Sequence, residues 1–215
     1  MKNLFKINIF TYIFLLLSIL SGYGREMLVV FVILVIHELG HFFLMKINNL
    51  SVQSITIYPY GGMIKSNMLI NTNSYKVLLI SLGGIFSQLI LWILVFFLFK
   101  LGLINIYYFD IFNKYNLYII LFNLIPIYPL DGGRILVNIL KIFYGNRKAN
   151  KYINTIRNVS IILLTIGCSI LILFVENIAI IVILGVLWGI TIKENIRYNT
   201  YNKIYKTIDK NYNYL

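Results

Sequence analysis

Apolar residues along the chain gather into long runs separated by short polar stretches. Six runs approach the ~20 helical residues that cross a hydrocarbon core of ~30 Å. They cover residues 7–20, 27–47, 77–99, 115–143 (interrupted), 159–175 and 178–192. Only Glu176-Asn177 separates the last two, which predicts a tight turn and a helical hairpin. Residues 51–58 instead alternate as a short strand would, ahead of Pro59-Tyr60-Gly61-Gly62. The pattern predicts an all-α polytopic membrane protein of about six transmembrane helices, with a short β or loop element after the second helix. Residues 1–192 are expected to form one transmembrane domain and residues 193–215 a short basic cytoplasmic tail. Lys2 and Lys6 before the first apolar run also suit a signal peptide. The nearest small-residue cleavage site, around Ser21 to Gly24, is unconvincing, so the first helix is expected to be retained.

Composition agrees with the pattern. Hydrophobic residues make up 60% of the chain and charged residues 12%, too little charge to cover a soluble domain. A net charge of +12 would suit nucleic acid, but the placement of the charges points elsewhere. With a cytoplasmic N-terminus and six spans, all Lys and Arg fall on the cytoplasmic side except Arg25, Lys100 and Lys114. That asymmetry follows the positive-inside rule and places both termini in the cytoplasm. The basic stretch from Lys141 to Arg157 is expected to face anionic lipid headgroups, not nucleic acid. Cys168, the lone cysteine, offers neither an intrachain disulfide nor a metal-binding spacing.

Of seven acids, Glu26, Asp110, Glu176, Glu194 and Asp209 fall in loops or tails, leaving Glu38 and Asp131 at membrane depth. The only histidines are His37 and His41. Ionisable groups in a bilayer are costly and mark functional sites. His37-Glu38-Leu39-Gly40-His41 lies inside an apolar run, hence on one helix. Residues four apart differ by about 40° in direction and ~6 Å in rise. Both imidazoles therefore leave one face, spaced to bind one ion, while Glu38 on the adjacent face can act on a water beside it. Two core histidines satisfied by carbonyls would be the plainer reading, but it leaves the neighbouring carboxylate unexplained.

A catalytic zinc takes three protein ligands and keeps one open position. Asp131 is the remaining acid at membrane depth and so the natural third ligand. Pro126, Pro129 and Gly132-Gly133 around it predict irregular backbone, which membranes tolerate where protein buries it or water reaches it. Asp131 would equally serve as an N-cap opening a helix over residues 135–143.

With these motifs in this order, the chain resembles the site-2 protease family (peptidase M50) of intramembrane zinc metalloproteases. Within it, Ile57-Tyr58-Pro59-Tyr60-Gly61-Gly62 is similar to the loop of the bacterial stage IV sporulation branch, which processes a sigma-factor precursor. The resemblance implies one zinc per chain on His37, His41 and Asp131, with Glu38 as the catalytic base. It implies that Asn123, and with it Gly61 and Gly62, serve substrate or oxyanion. It implies a membrane-associated protein substrate and leaves room for inhibitory membrane partners. The family's A-G-P-x-x-N/H element reads Leu82-Gly83-Gly84-Ile85-Phe86-Ser87 here, which puts its contribution in question. The segment 51–58 is expected to present substrate through a strand edge. The alternative from another class is a metal-ion or proton transporter, which would need polar groups throughout the membrane depth.

Overall fold

The computed structural model describes residues 5–58, 61–65, 72–175 and 178–212. Contacts divide the chain into two compact units, Met1–Asn123 and Leu124–Leu215. The first holds strand β1 (Phe5–Ile7), helices α1 (Ile9–Leu20) and α2 (Gly24–Ile47), strands β2 (Ser54–Tyr58) and β3 (Gly61–Lys65), and helices α3 (Ser74–Lys100) and α4 (Ile106–Asn123). The second holds α5 (Asp131–Val175) and α6 (Ile178–Tyr212). Among the described residues, Gly24–Ile47, Ser74–Lys100 and Asp131–Ile170 are long and apolar enough to span a membrane, against the six spans expected.

In the first unit, the ends of the helices follow from local chemistry. Gly22 at φ 82° lets α1 stop, with Tyr23 N–H donating to the Ser18 carbonyl (2.9 Å) and Gly22 N–H to that of Ile19 (3.1 Å). Asn49 at φ 58° closes α2 in the same way through Leu50 N–H and the Met45 carbonyl, 2.9 Å. Asn73 opens α3 by accepting from Tyr75 N–H at 3.1 Å.

Helices α2 and α3 meet at two glycines. A Cβ on Gly40 would lie 2.2 Å from the Gly83 carbonyl oxygen, and one on Gly83 2.7 Å from that of Gly40. Only small residues allow so close a crossing. Helix α4 joins through Trp92 Nε1–H to Asn113 Oδ1 (2.8 Å) and stacking of Phe99 on Phe109 (4.2 Å).

Three expectations for this unit change. The strand expected over 51–58 is Ser54–Tyr58, and it is the centre of a sheet ordered β1-β2-β3. Phe5–Ile7 pairs parallel with it (Phe5 with Ile55, Ile7 with Ile57), so the first helix starts at Ile9. Gly61–Lys65 pairs antiparallel on the other side (Ser54 with Lys65, Tyr58 with Gly61). With both edges of β2 occupied, it cannot itself take up a peptide. Helix α4 begins at Ile106, not 115, because Asn105 Oδ1 accepts from Tyr107 N–H (3.2 Å) and starts it early. Asp110 and Lys114 are thereby helical instead of in a loop. Pro59 and Tyr60 lie outside the described residues.

In the second unit, residues 124–130 are non-helical and include a cis Tyr128–Pro129 bond. A Cβ on Gly132 would lie 2.1 Å from the Leu124 carbonyl oxygen, so the first turn of α5 packs on its own leader. The apolar runs ending at 143 and starting at 159 do lie on separate helices: α5 is two helices joined at Gly145, whose backbone (φ 72°, ψ 169°) is non-helical. The second of them begins ahead of residue 159 and takes in most of the basic stretch. The physical reason is a buried stripe at helical spacing: Ala149, Ile153, Arg157 and Ile161. Arg157 donates to Asn154 and to Asn195 of α6, and Trp188 Nε1–H to Thr165 Oγ1 at 2.9 Å. Helix α6 continues beyond residue 192 to Tyr212, so the expected tail is largely helix. The Glu176-Asn177 turn lies outside the described residues.

Candidate metal centre

The buried positions of α2 are Ile33, Leu34, His37, Glu38, His41 and Met45, a single stripe. Against it α3 presents positions 80, 84 and 88, one helical face. His41 Nδ1 lies 2.7 Å from the Ile80 carbonyl oxygen, which can only accept, so this nitrogen carries hydrogen. His37 Nδ1 lies 2.9 Å from Gln88 Oε1, and the Gln88 amide donates to Asn116 Oδ1 at 3.2 Å. With the Gln88 amide turned this way, Oε1 accepts from His37 Nδ1–H and both rings turn Nε2 toward the same point as a lone pair.

Those two Nε2 atoms stand 3.1 Å apart. Two lone pairs this close repel unless a proton or cation lies between them. A tetrahedral zinc with Zn–N of about 2.05 Å would set its two nitrogens about 3.3 Å apart. Donor type, tautomer and spacing all fit a shared metal. Gly84 keeps the place clear: a Cβ there would lie 2.5 Å from His37 Nε2 and 2.6 Å from His41 Nε2. The glycine that stands in for the family's proline therefore does contribute, by its lack of a side chain. Ser87 Oγ donates to the Gly84 carbonyl (2.7 Å), within its own helix.

Glu38 accepts from Gly62 N–H on Oε1 at 3.0 Å. A Cβ on Gly62 would fall 2.1 Å from Glu38 Cδ. Gly62 N–H is therefore engaged with Glu38, not offered to an oxyanion, and β3 reaches the site at this glycine. Gly61 is the first residue of β3, paired with Tyr58. Asn123 ends α4 and ties one amide hydrogen to the Ile119 carbonyl at 3.1 Å.

Asp131 belongs to the second unit, where it is buried and is the first residue of α5. Arg134 N–H donates to the Leu130 carbonyl (3.3 Å), so the helix already starts here and Asp131 does not cap a later one at 135. Gln88, Asn116 and the Ile80 carbonyl were not anticipated from sequence. Gln88 and Asn116, both almost fully buried, could have been flagged as amides inside apolar runs.

Comparison with known proteins agrees with this geometry. The family model for peptidase family M50 matches residues 26–104 and 98–167. Stage IV sporulation protein FB of Bacillus subtilis is 30% identical over 127 residues, 59% of this chain and 44% of that protein. Zinc metalloprotease MJ0392 of Methanocaldococcus jannaschii is 29% identical over 144 residues, 65% of this chain and 42% of that protein. The chain spans less than half the length of these curated relatives. The solved structure of a site-2 protease from Methanocaldococcus jannaschii aligns with a TM-score of 0.64 and 28% identity, covering 88% of this chain and 89% of that one.

Proposed function

The chain belongs to peptidase family M50, and on that premise we propose that it is an intramembrane zinc metalloprotease that hydrolyses a peptide bond of a membrane-associated protein near the cytoplasmic face. The observation that carries this reading is the pair of imidazole Nε2 atoms 3.1 Å apart, with Glu38 beside them on the same helix. His37, His41 and Asp131 would hold the zinc, each offering one ligand atom from a buried side chain. Two histidines leave a third ligand to be supplied, and the family motif puts a carboxylate at the position of Asp131. Zinc held there would supply Lewis acidity to a water and to the scissile carbonyl. Glu38 takes the proton and later returns it to the leaving amine. Gly62 N–H holds one carboxylate oxygen of Glu38, leaving the other to receive that proton.

Substrate must be extended to be cut. Among the described residues β3 is an outer strand of the sheet, and its Gly62 touches Glu38. An incoming peptide adding to β3 beyond Gly62, whose own N–H Glu38 takes up, would arrive beside Glu38 through main-chain hydrogen bonds. The resemblance to the stage IV sporulation branch, carried by the Ile57–Gly62 motif, favours a membrane-tethered sigma-factor precursor as substrate. The test is co-expression with candidate membrane-tethered precursors, comparing wild type with Glu38→Gln, alongside metal analysis of both proteins. Cleavage lost with zinc retained is the expected result; cleavage at the wild-type rate by Glu38→Gln overturns the proposal.

A further inference from the structure

His37 and His41 are fixed by different means. The anchor of His41 Nδ1 is a backbone carbonyl, Ile80, which no substitution removes. The anchor of His37 Nδ1 is a side chain 51 residues away, Gln88 Oε1 at 2.9 Å. Gln88 is 0% exposed and Asn116 2%, so neither amide can satisfy itself with bulk water. A carboxamide has one accepting and one donating end, and rotation by half a turn would exchange them. Here Asn116 Oδ1 takes the donating end at 3.2 Å, which leaves the accepting end toward His37. That choice propagates: an accepting Oε1 requires hydrogen on Nδ1, and hydrogen on Nδ1 leaves Nε2 as the ligand atom.

We propose that Gln88, held in register by Asn116, is the positioning residue that selects the metal-binding tautomer of His37. The inference rests on the zinc reading of the His37–His41 pair and adds to it a relay running α4 to α3 to α2. Gln88 touches no substrate; it acts through His37. Metal-bound histidines elsewhere are commonly oriented by carboxylates, whose loss costs about 10–100-fold in metal affinity. Gln88 does the same with a neutral group, so it orients the ring without adding negative charge.

The experiment is competition of purified full-length protein for Zn2+ against a chelator, with thermal unfolding of the metal-free protein measured in parallel. Gln88→Leu should weaken Zn2+ binding by about 10–100-fold. Gln88→Glu restores an acceptor and should return affinity to the wild-type value or above. Asn116→Ala frees the amide to turn and should give a smaller loss. Equal loss of affinity in Gln88→Leu and Gln88→Glu, or wild-type affinity in Gln88→Leu, overturns the proposal. So does an affinity loss matched throughout by a loss of metal-free stability, the mark of a merely structural amide. Failure of the zinc reading itself looks different: wild type would bind no Zn2+, and His37→Ala would change nothing.

Discussion

At the scale of single residues, the proposed function divides the site into groups that would hold the metal and one that would move a proton. His37 and His41 point their Nε2 atoms at each other across 3.1 Å, whereas Glu38 faces Gly62. Substitutions should therefore separate binding from chemistry. Glu38→Gln keeps the shape and the hydrogen bond from Gly62 but cannot take a proton. Its peptidase rate should fall by about 10²–10⁴-fold, with zinc content near that of wild type by elemental analysis. His37→Ala and Asp131→Ala should each lose zinc and activity together, because a ligand is gone. Zinc retained at full occupancy in Asp131→Ala would remove that residue from the metal. The His-Glu-x-x-His spacing was legible in the sequence because its geometry is local, set by a single helix. Gln88 was not, because its partner is 51 residues away and only the packing of α3 on α2 brings the two together.

At the scale of elements, two close approaches make the site possible. Gly40 and Gly83 let α2 and α3 cross with backbone nearly touching backbone. The crossing sets position 80 against His41 and position 88 against His37. Gly40→Val would drive a side chain into the Gly83 carbonyl, which cannot yield, so the helices must part. Overpacking of this kind costs about 1–3 kcal/mol; a lower unfolding temperature together with weakened zinc binding should report it. Gly62→Ala is the more selective change. Its Cβ would overlap the carboxylate of Glu38, and a displacement of ~1 Å at a reacting group can cost about 10²-fold in rate. Activity should fall to that extent while zinc affinity and thermal stability stay near wild type. A fully active Gly62→Ala would mean that β3 does not bear on the base. The sheet itself was half legible. Alternation marked β2, but three residues at Phe5–Ile7 are too few to carry a period, so the strand that pairs with it went unseen. In α5 the separation of two helices follows the gap between the apolar runs, with Gly145 as the break, but the charges over 141–157 masked the buried stripe that starts the second helix early.

At the scale of the whole molecule, orientation in the membrane is a question of charge, which sequence carries in full. The helices start and stop at other residues than the apolar runs suggested, yet the basic groups keep their grouping. Lys141, Arg147, Lys148, Lys151 and Arg157 lie on α5 on either side of Gly145, and Lys193, Arg197 and Lys203 lie on the continuation of α6. Helix does not relieve the cost of moving these charges across a bilayer, so the expected cytoplasmic placement rests on the same charges whether they lie in loops or helices. Leu103, in the connection after α3, and Tyr201, on α6, are both exposed and should lie on opposite sides. In a Cys168→Ser background, Leu103→Cys should react with a membrane-impermeant maleimide on intact cells. Tyr201→Cys should react only after the membrane is opened. The reverse pattern would put the metal ligands of α2 at the wrong face for a substrate cut from the cytoplasmic side. It would do so because His41 lies one to two turns from Lys46 at the end of that helix, which ties the depth of the site to the side on which the basic residues lie.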